Sequence, residues 1–214
     1  MTLFPSLSPL GERRQARLAD ARLQAVVTTR RAEGDLEAFL ASLFAGSVDI
    51  CRLRDDTATE DELRAAADTF RRACDRAGGL FIVDRLPGLA VQVGADGVHV
   101  GLVDVDPDHA RRVVGPDLLV GRTVRTPADI DAAADEDVDY LVVEPVSDKA
   151  VGHYASKRAS HPWFLSGSVG TDTVDAALDA GARRIVADSC LATAEDPEGV
   201  CWDLRRALAR RAGG

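Results

Sequence analysis

Eight short runs of apolar, largely β-branched residues recur along this chain, separated by longer Ala/Arg/Asp-rich amphipathic stretches. The runs are LQAVVTT from 23, VDICRL from 48, LFIVD from 80, DGVHVG from 96, DLLVG from 117, DYLVVEP from 139, PWFLSG from 162 and RRIVADS from 183. Most are continuous rather than alternating, as strands covered on both faces should be. The stretches between them carry helix signals. In TEDELRAAADTFRRACDRAGG, Thr59 is a cap, acids fill the first turn, and Gly78 and Gly79 follow the end. TPADIDAAAD opens on Thr126 with Pro127 at the first helical position. TDTVDAALDAGA predicts a helix from Thr171 to Gly181, DPEGVCWDLRRALARRA closes the chain, and an extra helix over 10–20 precedes the first strand. The stretch SDKAVGHYASKRASH lacks apolar periodicity and reads as a loop with one short helix. Eight strands alternating with helices predict an α/β fold, a (β/α)8 TIM barrel with an extra N-terminal helix, as one domain over 1–214. An open doubly wound sheet is the alternative.

Composition narrows the partners. Acidic residues outnumber basic ones, 35 to 26, for a net charge of -9. That opposes binding to nucleic acid or to an anionic membrane, both of which need a positive footprint. Lysine occurs only at 149 and 157, so almost every cation is an arginine. Cys51, Cys74, Cys190 and Cys201 form no C-x-x-C pair or zinc spacing. Cys51 and Cys190 are expected to be buried thiols. No apolar run reaches membrane-span length, and MTLFPSLSPLGERRQARLADARL lacks the pattern of a secretory signal. A soluble cytoplasmic protein is the expectation.

In a barrel of this kind chemistry sits where the strands end. Those positions carry Arg52, Arg54, Arg85, Arg122 and Arg125. Guanidiniums converging on one rim would grip a carboxylate or phosphate, with roughly half of them engaged by rim acids such as Asp55, Asp56, Asp84 and Asp104. The turn SGSVGTD, with Gly167 and Ser168, could present backbone N–H groups to a phosphate, although Asp188 nearby would oppose one. His99 reads as a hydrogen-bonded core residue and His109 as a helix-surface one; nothing organises His153 and His161 as a metal pair. Asp104 could hold Mg²⁺, with Asp84 as the nearest second carboxylate.

Three segments carry a family resemblance. ARLQAVVTTRRAEGDLEAFLASLFAGSVDICRLRD, LFIVDRLPGLAVQVGADGVHVGLVDV and PWFLSGSVGTDTVDAALDAGARRIVADSCLATAEDPEG resemble thiamine phosphate synthases, above all actinobacterial ones. The related thiazole tautomerases share the fold. The resemblance implies a barrel that couples hydroxymethylpyrimidine pyrophosphate to thiazole phosphate with Mg²⁺. It further implies small phosphorylated or anionic partners, and a homo-oligomer. Rim position and the resemblance together make Arg52, Arg54, Arg85, Thr123, Arg125, Lys149, Gly167, Ser168 and Ser189 the expected substrate contacts, and by the resemblance Asp104 would be a metal ligand. The rim departs from the family pattern. Asp56 stands where the family has a pyrophosphate-binding Lys, and Arg85 where it has a metal-binding Asp. Leu102 replaces a Gln, Asp188 enters the last phosphate segment, and most of a Thr-x-Thr-Lys loop before Lys149 is missing. The expectation is a family barrel with synthase activity impaired or lost. The alternatives are a non-catalytic anion- or partner-binding relative, and a different enzyme using Asp84, Glu144 or Asp188 as acid or base.

Overall fold

All eight apolar runs form strands: β1 (Leu23–Val27), β2 (Ile50–Leu53), β3 (Leu80–Asp84), β4 (Gly97–Val100), β5 (Leu119–Val124), β6 (Tyr140–Val143), β7 (Trp163–Leu165) and β8 (Ile185–Ala187). They pair in parallel and in chain order, and β8 returns to β1, closing a TIM barrel. The structure is a computed structural model and describes residues 7–144 and 149–212, with only the backbone of 211 and 212.

Register sorts the side chains into two cores. One residue of each alternating pair points inward: Ile50, Leu80, Ile82, Leu119, Tyr140, Val142, Phe164 and Val186 fill the barrel interior. The other parity packs outward against the helices, in a larger cluster that includes Ala25, Cys51, Phe81 and Val98. Tyr140 fills the interior because its neighbour is Gly121. A Cβ there would lie 2.1 Å from the Tyr140 ring.

Helices connect the strands. The expected N-terminal helix is α1 (Pro9–Asp20), capped by Ser8. Its Leu18 and the following Ala21 belong to the inner core, so it plugs the base, the end where the strands begin. Then come α2 (Leu36–Ala45), α3 (Glu60–Ala77), α4 (Pro87–Gln92), α5 (Pro107–Val114) and α6 (Pro127–Ala132), followed by a 3₁₀ turn. The chain continues through α7 (Lys149–Arg158), α8 (Val174–Asp179), α9 (Ser189–Ala192) and α10 (Pro197–Ala212). Thr59 and Thr126 each form a full capping box, with Glu62 and Asp129, and Gly78 ends α3 at φ 72°.

Two helices differ from expectation. The weakly patterned stretch holds a ten-residue helix, α7. It docks through small residues: a Cβ on Gly152 would lie 2.8 Å from the Ala180 carbonyl, and Ala155 is buried beside it. Close backbone approach leaves no large apolar stripe to read. The helix expected from Thr171 begins at Val174, because the Thr173 hydroxyl turns back to the Ser168 carbonyl (3.0 Å) and takes the Gly170 amide (2.8 Å).

Aspartates hold the base. Asp49, Asp96 and Asp139 precede β2, β4 and β6, and each accepts a backbone N–H from the preceding odd-numbered strand: Leu23 at 2.9 Å, Phe81 at 2.9 Å and Val120 at 2.7 Å. Each also binds arginine: Arg205 on Asp49, Arg14 and Arg71 on Asp96, Arg111 on Asp139.

Candidate functional site

Inward parity places Arg52, Asp84, His99 and Thr123 in the top interior layer, where the barrel opens. They line a cavity of about 160 Å³ together with Arg54, Arg85, Asp104, Arg125 and Glu144. A second depression of about 670 Å³, over β1, β2 and β8, shares Arg54 as a wall and adds Arg30, Asp55 and Ser189.

Asp84 is the centre of the smaller cavity. It is 8% exposed and meets Arg52 Nε at 3.4 Å, Arg54 Nε at 3.7 Å and Arg85 Nε at 3.5 Å. Burial raises the Asp84 carboxyl above its ordinary value against the pull of those guanidiniums, and Asp104 adds to the rise. Arg52 is 3% exposed, and its Nε and Nη1 have no hydrogen-bond partner among the described residues, nor does Asp84 Oδ1. A buried guanidinium in that condition retains unmet hydrogen-bonding capacity. His99 shares a hydrogen bond of 2.9 Å with Thr123 Oγ1. Burial, with Arg52 and Arg54 adding to it, drives His99 well below its ordinary pKa, so it is neutral near pH 7.

The other rim arginines are also paired. Arg54 meets Asp56 at 3.2 Å, Arg85 meets the same carboxylate, and Arg125 meets Glu144 at 3.1 Å. Arg122 has outward parity and pairs with Glu136 behind β5, away from the mouth. So four of the five arginines converge, and all five have a carboxylate neighbour rather than roughly half. The acids that engage them, Asp56, Asp84 and Glu144, rise from the same strand ends.

The remaining expected residues are scattered. Ser189 lies at the wider depression, but Asp188 accepts its amide at 2.5 Å, occupying the N–H a phosphate would need. Gly167 and Ser168 line neither depression and turn with φ 107° and 57°. Lys149 is exposed at the start of α7, and Asp148 lies outside the described residues. Cys51 is buried, Cys190 is half-buried with its thiol on the Val169 carbonyl, and the four cysteines are free. His109 is exposed on α5. Among the described residues, three of the four non-glycine residues with positive φ also sit at this end: Arg30 at 47°, Arg85 at 62° and Ser168. Each costs of order 1 kcal/mol, and such strain gathers at functional sites. The charged loop of Arg30, Arg31 and Glu33 lines the wider depression and was not singled out from sequence.

Mg²⁺ does not fit these groups as they stand. Among the described residues Asp104 is the one cavity carboxylate not engaged by a guanidinium, and its Oδ2 takes the Gly101 amide at 2.7 Å. A dication near Asp84 would face three guanidiniums within 4 Å of that carboxylate. Among the described residues no group of three or more His, Cys, Asp or Glu side chains is placed to hold a metal.

The family model described as thiamine monophosphate synthase matches residues 23–191. The chain belongs to this family. It is 36% identical to the thiamine-phosphate synthase of Thermobifida fusca over 213 residues, covering 93% of this chain and 97% of the relative. It is 36% identical over 217 residues to that of Mycobacterium tuberculosis strain H37Ra, covering 91% and 97%. The solved structure of thiamine phosphate pyrophosphorylase from Pyrococcus furiosus superposes with a TM-score of 0.82 at 22% identity, over 92% of this chain and 98% of that one. That likeness bears on the fold. No helix among the described residues is long and apolar enough to cross a membrane.

Proposed function

We propose that the mouth binds a phosphorylated small molecule by guanidinium contacts without a divalent cation, and that coupling of a pyrimidine pyrophosphate to a thiazole phosphate is impaired in this family member. The observation that carries the reading is the arginine cluster around Asp84, with Arg52 buried and its Nε and Nη1 without a hydrogen bond among the described residues. A phosphate oxygen entering the cavity would meet those donors and draw Arg54 and Arg85 from Asp56. Arg52, Arg54, Arg85, Thr123 and Arg125 are the contacts; Ser189 joins only if Asp188 releases its amide. Lys149, Gly167 and Ser168 lie outside this set. Asp104 is left with its own loop rather than with metal.

The test is a synthase assay on the full chain with pyrimidine pyrophosphate, thiazole phosphate and Mg²⁺, beside a relative from the same family. Turnover at least about 10²-fold below the relative is expected, the loss typical of a missing electrostatic stabiliser. Turnover equal to the relative's overturns the reading. In the presence of a chelator, pyrophosphate should still bind and should weaken with salt. Arg85→Asp should abolish that binding.

The raised Asp84 carboxyl supports a second reading, a proton-transfer enzyme on the same barrel. It requires substrate-dependent activity lost in Asp84→Asn.

A further inference from the structure

The base of the barrel holds a cavity of about 730 Å³ that the mouth chemistry does not use. Its walls come from Arg22 before β1, Arg183 and Arg184 before β8, and Trp202, Arg205 and Arg206 on α10. Among the described residues no acidic side chain lines it. In a chain of net charge -9 this concentration of arginine runs against the global balance.

The arginines divide by partner. Arg205 is neutralised by Asp49 at 2.9 Å and Arg206 by Asp203 at 2.8 Å. Arg22 and Arg184 instead donate to the same two carbonyls, Ala19 and Ala21, at the end of α1. Arg183 donates to the adjacent Ala182 carbonyl. Among the described residues none of these three has a carboxylate within salt-bridge reach. Like charges are therefore held together: Arg184 has a lowered pKa, from burial first and then from Arg22. Trp202 is 44% exposed on the same wall. The fourth strained residue, Ser47 at φ 68°, also lines this cavity. Cavities of this size hold ligands of nucleotide scale, and an exposed indole offers a planar ring a stacking surface.

We propose that the base carries a second ligand site for a phosphorylated heteroaromatic compound of nucleotide size. Arg22, Arg183 and Arg184 receive the phosphate and Trp202 stacks on the ring. Phosphate supplies the counter-ion that Arg22, Arg183 and Arg184 lack among the described residues, and the ring covers the exposed indole. The site lies at the opposite end of the barrel from the mouth and does not depend on how the mouth is read.

The experiment titrates ADP into the full chain with calorimetry and tryptophan fluorescence, and repeats it with inorganic pyrophosphate. The expected result is quenching by ADP, and ADP binding tighter than pyrophosphate. Arg183→Glu, at an exposed position, should weaken ADP at least about tenfold. Trp202→Ala should bring ADP down to the pyrophosphate affinity, and the mouth variant Arg54→Ala should leave ADP quenching intact. Absence of ADP binding to about 5 mM overturns the site. So does ADP binding lost in Arg54→Ala but kept in Arg183→Glu, which places the nucleotide at the mouth. An acidic peptide that binds the base where ADP does not would overturn the small-molecule assignment.

Discussion

Asp84→Asn keeps the shape of the side chain and removes its charge. Arg54 and Arg85 retain Asp56, but Arg52 loses its one carboxylate neighbour among the described residues. At 3.4 Å and an effective dielectric near 20 the lost attraction is about 5 kcal/mol. The variant also relieves the cost of burying the Asp84 charge, the same cost that raises its pKa. The net destabilisation should be about 2–3 kcal/mol, or roughly 4–12 °C in Tm for a chain this long. A phosphate ligand should then substitute for the missing charge. Pyrophosphate should bind about tenfold tighter than to the parent, an extra ~1.4 kcal/mol, and should raise the variant's Tm by more than the parent's at equal concentration. The assay is thermal denaturation with and without pyrophosphate, in chelator. A variant as stable as the parent, with no larger ligand shift, would refute the idea that Asp84 is the resident counter-ion of an anion site.

Arg85→Gly should relieve the left-handed strain at φ 62° and leave stability within about 1 kcal/mol of the parent, while pyrophosphate binding falls; equal affinity in calorimetry would argue against Arg85 as a contact. Asp188→Ala should free the Ser189 amide and strengthen phosphate binding several-fold, at a cap cost of about 1 kcal/mol, read by calorimetry and denaturant melts. Although burial pushes the Asp55 carboxyl up, hydrogen bonds from Thr29 and Thr57 outweigh it and hold the pKa at about 2. Asp55 thus stabilises the fold above about pH 4 and loses that contribution as pH falls toward 2, by about 1–2 kcal/mol after allowance for its partial exposure. Asp55→Asn should flatten that part of a denaturant-based stability-versus-pH curve. Gly121→Ala should destabilise by about 1–3 kcal/mol through the Tyr140 ring, and Tyr140→Leu should restore part of the loss in the same melts.

The strands were legible because residues buried on both faces must be apolar, whatever the topology. Helices α3 and α6 were legible because their caps are local chemistry. By contrast α7 docks through Gly152 and Ala155, and small residues leave little periodic signal. At the rim, position told more than pairing did. Arg122 and Thr123 are adjacent in sequence, yet strand parity sends one behind β5 and the other into the mouth. The engagement of Arg85 by Asp56 joins the loops after β2 and β3, which the pairing of those two strands brings together. The base cluster was hidden by longer-range closure of the barrel. Arg22, Arg184 and Arg205 are far apart in the chain and become neighbours where β1, β8 and α10 meet.

The aspartates before β2, β4 and β6 have a consequence for how freely such a barrel can be remade. They clamp alternate strand starts to the surrounding helices, so shape is enforced at the base and the choice of mouth ligand is left to the opposite end. Substitutions at the mouth and at the clamps should combine additively, since no pair of them shares a partner. Loops after the strands could accordingly be transplanted from a relative onto this foundation as independent parts. Loss of a single clamp would weaken every such chimera by the same amount, whatever ligand its new rim selects.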